Sequence, residues 1–189
     1  MKRRALTKPF LVISTLLLAL DLVTAGERGV PGIDGIGNFA KIDEKLYRGA
    51  QPNESGMQSL KQLGAKSIID LRMPAEVRKE ERAAALANGI LYTNVPLRGL
   101  GAPRDEQVKT VLDLIETLPP PVFIHCVHGC DRTGTMVACY RIAHHQWSNE
   151  AALAEAKRYG LSGLERAMKK YIKEFGVTPK KPTPPQGTQ

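Results

Sequence analysis

Three short apolar runs punctuate the chain: Lys66 to Leu71 (KSIIDL), Leu91 to Leu97 (LYTNVPL) and Val122 to Cys126 (VFIHC). Each is too short for a helix and partly β-branched, so each is expected to be a buried strand. Helical patterns separate them. Val108, Val111, Leu112, Ile115 and Leu118 recur at helical spacing, with Asp105 and Glu106 in the first turn, where the helix dipole favours carboxylates. Pro119, Pro120 and Pro121 then stop that helix. Further on, Leu164, Ala167, Met168, Tyr171, Ile172 and Phe175 form a second apolar stripe, expected to face the core. Strand, helix, strand, helix, strand predicts an α/β domain with a mainly parallel central sheet flanked by helices. Ligands in such folds sit at the carboxyl ends of strands. Cys126 closes one expected strand and Thr133 opens an expected helix, so the stretch FIHCVHGCDRTG, residues 123–134, occupies that place.

The ends of the chain have a different character. Lys2, Arg3 and Arg4 precede an apolar run from Phe10 to Leu20, and Val23-Thr24-Ala25 offers a cleavage point. This is the form of a secretory signal peptide over residues 1–25, and it implies an exported, periplasmic or secreted protein. Asp21 ends the run well short of the roughly 20 residues that span a bilayer, so an uncleaved anchor holding the protein at a membrane is the minor alternative. Residues 26–38 are rich in glycine and read as a flexible lead-in. Residues 176–189 carry four prolines and no apolar period, and read as a disordered tail. One domain is therefore expected over residues 39–175. Cleavage after Ala25 removes four of the 27 Lys and Arg and one of the 19 Asp and Glu, leaving 23 against 18, a net charge of +5. That balance suits phosphorylated partners, but no interleaving of cations and aromatics marks a nucleic-acid track.

The loop between the last strand and its helix carries the chemistry. Gly129 and Gly134 allow successive backbone N–H groups to turn inward as an anion nest, with the helix N-terminus aimed into it. Arg132 adds a planar fork able to hold two phosphate oxygens and to stabilise them during transfer. Cys126, among these donors, is placed to act as a thiolate nucleophile on phosphorus.

His125-Cys126, five residues, then Arg132-Thr133-Gly134 resembles the signature of the cysteine-dependent protein tyrosine phosphatase superfamily, and the form HCxHGxxRTG is similar to that of dual-specificity phosphatases. LYRGAQP at 46–52, SIIDLR at 67–72 and CYRIAHHQWSNEAALAEAK at 139–157 extend the likeness to exported bacterial members and to atypical fungal and plant ones. The resemblance implies the phosphatase fold, Cys126 as nucleophile, Arg132 as phosphate clamp and the backbone of Val127, His128, Gly129, Cys130, Asp131 and Arg132 as the cradle. It also implies that His125 supports the thiolate and that Thr133 donates to the sulfur as it departs.

The leaving group needs a proton, which family members generally take from an aspartate after the preceding strand. That place reads VPLRGLGAPRDEQV here, with no aspartate where one is expected. Asp131 and Asp105 are the two candidates. Asp131 resembles the aspartate of CxxGxDR loops in myotubularin-like lipid phosphatases, and like-charge neighbours favour its protonated form. Its competing role is to hold the loop's shape; that of Asp105 is to sit in a helix's first turn. Cys130 either fills space in the loop or forms a reversible disulfide with Cys126. Arg72 is a secondary candidate for the mouth of the site and His128 for its floor, with Arg98 and Arg104 at the rim. No metal-ligand spacing exists, so catalysis without metal or cofactor is expected.

The reading is a phosphomonoesterase acting on a phosphorylated protein or a small phosphomonoester through a phosphocysteine. The alternatives are an RNA 5'-phosphatase, since HCxHGxxRTG also resembles capping-enzyme triphosphatase domains, a phosphoinositide-type phosphatase, and a pseudophosphatase that binds without turnover.

Overall fold

The computed structural model describes residues 29–176. Its sheet has five strands: β1 (Ala40–Lys41), β2 (Leu46–Ala50), β3 (Ser67–Asp70), β4 (Leu91–Asn94) and β5 (Val122–Cys126), in the order β1-β2-β5-β3-β4. β2, β5, β3 and β4 run parallel and β1 is antiparallel at the edge, so the expected α/β class and mainly parallel sheet are what the chain adopts. Every residue of β5 is buried, as a central parallel strand requires.

Alternate residues of each strand feed two cores. Tyr47, Ile68 and Phe123 point to one face, under α1 (Glu54–Gln62) and α2 (Lys79–Ala87), with Met57, Leu60 and Ala85. Leu46, Ile69, Val122 and Ile124 point to the other, under α3 (Asp105–Thr117) and α4 (Asp131–His145), with Val108, Val111, Ile115 and Met136. Residues Arg132 to Tyr140 of α4 are all buried, because α5 (Asn149–Arg158) and α6 (Arg166–Glu174) cover the side turned away from the sheet. That enclosure explains the buried threonines at its start: they lie where the helix meets the loop, not in an apolar stripe.

Several boundaries differ from those expected. The regular strands cover only Ser67–Asp70 and Leu91–Asn94; beyond them single backbone bonds continue out of regular register, Val95 N to Asp70 O at 2.9 Å and Leu97 N to Leu71 O at 3.0 Å. α4 begins at Asp131, two residues before Thr133. Leu164 is exposed and precedes α6, and Ala167 is exposed too, so the buried face of α6 is Met168 and Ile172. The lead-in is the larger correction. Of residues 26–38, those from 29 onward are part of the folded domain: Ile33 and Ile36 form a two-residue bridge, Ile36 is 1% exposed in the α1-side core, and Asn38 is buried. A glycine-rich stretch can pack closely against other backbone: Gly35 takes a left-handed turn against the backbone of Gly56. The expected signal segment 1–25, residues 26–28 and the tail from 177 lie outside the described residues. Among the described residues no helix is long and apolar enough to cross a membrane.

Shortening Ile36 to alanine is expected to lower stability by about 2–5 kcal/mol, as for other buried isoleucines, read as a shift in denaturant midpoint. A change below about 0.5 kcal/mol, the usual range for a surface site, would return residues 29–38 to the status of a lead-in.

Candidate active site

The strand β5 ends at Cys126 and the chain turns through residues 127–130 into α4. What shapes this turn is the fate of its carbonyls. Val127 O accepts from Gln51 N at 3.2 Å. Gly129 O accepts from Asn38 Nδ2 at 3.0 Å and from Arg48 Nη2, and the same Asn38 amide lies 3.4 Å from His128 O. With these carbonyls held outward by the protein, the planar peptide bond aims the following N–H groups the opposite way, into the concavity over Cys126. Gly129 makes the turn possible: its φ is +68°, and a Cβ there would lie 2.4 Å from the Gly49 carbonyl carbon. That is the backbone arrangement an anion nest requires, and it lies at the N-terminus of a 15-residue helix.

Cys126 is 3% exposed and Arg132 is 7% exposed. Arg132 is held in a two-pronged pair with Glu76, Nη1 to Oε2 at 2.6 Å and Nη2 to Oε1 at 3.1 Å. Glu76 ends a single 3-10 turn, Pro74–Glu76, after β3, and its Oε2 is tied back to Met73 N at 2.9 Å. Leu97 O adds a longer contact to Arg132 at 3.4 Å. Burial works against the guanidinium's charge, but the Glu76 hydrogen bonds and the neighbouring Cys126 outweigh it and hold the Arg132 pKa above its ordinary value. The Glu76 carboxyl is in turn held below the usual range, chiefly by its hydrogen bond from Arg132. Sequence reasoning missed Glu76, since nothing in DLRMPAE separates it from a surface glutamate.

Thr133 is fully buried and its Oγ1 has no hydrogen-bond partner among the described residues. A buried hydroxyl left open at the first turn of α4 suits the sulfur-donor role implied for it. His125 is oriented on the other face of the sheet. Its Nδ1 lies 3.2 Å from the Cys126 carbonyl, and its ring stacks on Phe123 at 5.4 Å. Its Nε2 is 3.1 Å from Glu81 Oε1, near enough to pair in charge but out of line for a hydrogen bond.

Arg72 is a correction. It is 0% exposed, with Nε and Nη2 on Asp70 at 2.9 and 2.8 Å, Nη2 also on Glu81 at 2.8 Å, and Nη1 on Gln51 at 2.7 Å. Its guanidinium folds back into a carboxylate pair behind the loop and does not reach the mouth. Burial opposes the charge on Arg72, yet its two carboxylate partners raise its pKa above the ordinary arginine value. Asp70, Glu81 and His125 stand close enough to share one cation, and Arg72 already supplies positive charge to both carboxylates. His128 is a second correction: it is exposed, at the rim of the loop and not its floor.

The two candidate acids part company. Asp131 opens α4 at the loop, half-buried, and its Oδ1 accepts from Ser162 N at 2.7 Å, which ties the loop to the α5–α6 connection. Asp105 is exposed on α3 and accepts from Tyr171 Oη at 2.7 Å. It lines a groove of about 630 Å³ between α3 and α6 that contains neither Cys126 nor Arg132. Arg98 shares a small depression with Arg132, Leu97 and Pro103, whereas Arg104 lines a separate one with Pro96 and Glu106. The segment between them is joined to the α5–α6 connection by Gly101 N on Glu165, a buried carboxylate. Cys130 is wholly buried on the inner side of the loop, with Asn38 Nδ2 at 3.5 Å and its thiol on His128 O at 3.4 Å. None of the three cysteines is in a disulfide.

The chain is similar in sequence and fold to known proteins. The family described as "DSP-PTPase phosphatase fused to NAD+ Kinase" matches residues 34–174. Dual specificity protein phosphatase TpbA of Pseudomonas aeruginosa is 30% identical over 125 residues in one strain and 28% over 159 in another. Those matches take in 65% and 80% of this chain, which spans 55% and 67% of the relatives' length. Inositol diphosphatase DSP4 of Arabidopsis thaliana is 29% identical, over 84% of this chain and 80% of its own. The crystal structure of P. aeruginosa TpbA superposes with a TM-score of 0.63 at 25% identity, covering 79% of this chain and 91% of that one. The core catalytic domain of the PP-IP phosphatase SIW14 from S. cerevisiae shares the fold, with a TM-score of 0.66 at 24% identity over 78% and 88% of the two chains. With the strand-to-helix cradle, the buried cysteine and the clamped arginine in place, this chain belongs to the cysteine-dependent dual-specificity phosphatases.

Proposed function

We propose that this chain is a phosphomonoesterase that works through a phosphocysteine, with a phosphotyrosine-bearing or other phosphorylated protein as its substrate. The observation that carries the reading is the outward-pinned loop with Cys126 beneath it and Arg132 beside it. The Cys126 thiolate attacks phosphorus while the P–O bond to the leaving oxygen breaks, and that oxygen takes a proton from the acid. Water then attacks the phosphocysteine and gives its proton to the carboxylate left by the first step, the P–S bond breaks, inorganic phosphate leaves, and the Thr133 hydroxyl donates to the departing sulfur. The loop N–H groups and the Arg132 fork carry the charge of the equatorial oxygens, where preorganised donors contribute most. Each candidate acid accepts one hydrogen bond at 2.7 Å, and Asp131 is taken as the acid because it adjoins Arg132 in the loop, whereas Asp105 lies in the α3–α6 groove, which contains neither Cys126 nor Arg132. Cys130 fills the inner side of the loop.

P. aeruginosa TpbA has been seen with pTyr, in a structure that shares this fold at 24% identity. A second reading, an inositol phosphate or pyrophosphate as substrate, is favoured by the length of the match to Inositol diphosphatase DSP4. The same chemistry would serve both. The reading includes export to a periplasm or beyond, on the strength of residues 1–25, and no metal or cofactor.

Replacing Cys126 by serine is expected to abolish hydrolysis of a generic aryl phosphate; turnover that survives would remove the nucleophile from this account. A phosphopeptide and an inositol pyrophosphate, compared by kcat/KM on one preparation, separate the two substrate readings, with the phosphopeptide expected to be preferred. The acid must be protonated when the leaving group departs, so activity should fall as pH rises through its pKa. Asp131→Asn is expected to flatten that fall and to cost roughly a hundred- to ten-thousand-fold in kcat, while Asp105→Asn leaves the profile in place; the reverse pattern would assign the acid to Asp105. Glu76→Gln leaves Arg132 charged but loosens its fork, and KM should rise by about tenfold, the equivalent of roughly 1.4 kcal/mol, with kcat less affected.

A further inference from the structure

Arg48 lies on β2, and its residue is 0% exposed. Its described partners are few. Nη2 donates to the Gly129 carbonyl, and the guanidinium carbon stands 4.0 Å from the centre of the Tyr159 ring. Nε and Nη1 have no hydrogen-bond partner among the described residues, and no carboxylate of those residues is within ion-pair distance of it. Glu155, a carboxylate that acts on its charge, is already held by Arg141 at 2.8 Å. A buried cation left without an anion is costly, and protein interiors normally pair or omit it. Arg72 and Arg132, also buried, are both paired with carboxylates.

Two of the groups that act on Arg48, Cys126 and Cys130, belong to the loop and its strand end; the other two, Glu155 and Tyr159, belong to α5 and its end. Burial pushes its pKa down to about 10, while Tyr159, Cys126, Glu155 and Cys130 act to restore it. Tyr159 is bound into the same unit, because its carbonyl accepts from Asn38 Nδ2 at 2.9 Å, the amide that also grips Gly129 O.

We infer that Arg48 is a second cation of the active site, acting from beneath the loop. Its anions are the Cys126 thiolate and the phosphate that the loop takes up, and Asn38 is its companion in turning the Gly129 carbonyl away from that phosphate. Arg132 grips the substrate's oxygens directly; Arg48 touches no substrate and acts through Gly129 and through its charge. The inference rests on the phosphatase reading, in that the loop's ligand is taken to be a phosphoryl group.

The test uses the full chain with Arg48→Met and Arg48→Lys. Asn38 still donates to Gly129 O in both, so the loop keeps a partner for that carbonyl. Three quantities are measured: the inhibition constant of inorganic phosphate against aryl phosphate hydrolysis, the ratio of Cys126 alkylation rates by iodoacetate and by neutral iodoacetamide, and Tm. Arg48→Met is expected to weaken phosphate by roughly tenfold, as the loss of a charge from a preorganised site would. It should also lower the iodoacetate-to-iodoacetamide ratio and leave Tm unchanged or raised, because an uncompensated buried charge has gone. Arg48→Lys should recover most of the ratio. A phosphate constant and a ratio both within about twofold of wild type, or losses of both that accompany a fall in Tm, would reduce Arg48 to a packing residue and overturn the inference. If the unaltered protein hydrolyses no phosphomonoester but the alkylation ratio still depends on Arg48, the phosphatase reading fails and the charge role stands.

Discussion

The grip on one carbonyl, that of Gly129, governs the rest of the site. A loop that binds a dianion through backbone N–H groups must dispose of its carbonyls elsewhere, and a buried carbonyl left without a donor costs about 1–3 kcal/mol. Here the donors come from far along the chain: Asn38 ahead of β1 and Arg48 on β2. β2 and β5 pair in register from Leu46–Val122 to Ala50–Cys126, so the sheet itself brings Arg48 under the loop. The close approach of Gly129 to the backbone of Gly49 follows from the same pairing.

Three arginines surround this loop, and the protein treats them differently. Arg72 has two carboxylates and a fully buried side chain, which makes it a structural rivet behind β3. Arg132 has one, Glu76, set at its outer edge and a third exposed, so the fork is oriented while part of its donor capacity is left for a substrate. Arg48 has none among the described residues. The gradient from doubly paired to unpaired follows what each guanidinium does. In the proposed reading Arg72 holds the fold, Arg132 takes the substrate's phosphoryl oxygens, and Arg48 sets the potential at the loop. His125, against Glu81 and the Cys126 carbonyl, links the first of these networks to the nucleophile.

Much of this is legible in the sequence where local signals decide structure. Short β-branched runs mark β3, β4 and β5, the spacing of Val108, Val111 and Ile115 marks α3, and the glycine and arginine positions mark the cradle. What stays hidden depends on contacts between distant residues. β2 carries a buried arginine and a glycine in LYRGA, so it lacks the apolar run that marks a strand. Asn38 and Glu76 look like any loop polar residues until the chain places them 91 and 56 positions away from their partners in the loop and in α4. Arg72 misleads for the complementary reason: the end of a strand does point toward the ligand side, but Asp70 two residues earlier turns the guanidinium back. The glycine-rich stretch before β1, with the composition of a lead-in, is close-packed backbone around Ile36.

The central claim is that phosphorus passes through the sulfur of Cys126. Rapid quenching of a turnover mixture, followed by mass spectrometry of the peptide spanning residues 122–132, tests it most directly. The account requires a transient phosphoryl group on Cys126 that accumulates when Asp131 is replaced under a substrate with a good leaving group. Steady turnover with no phosphorylated enzyme at any time, or a phosphoryl group found on His125 or His128, would contradict it.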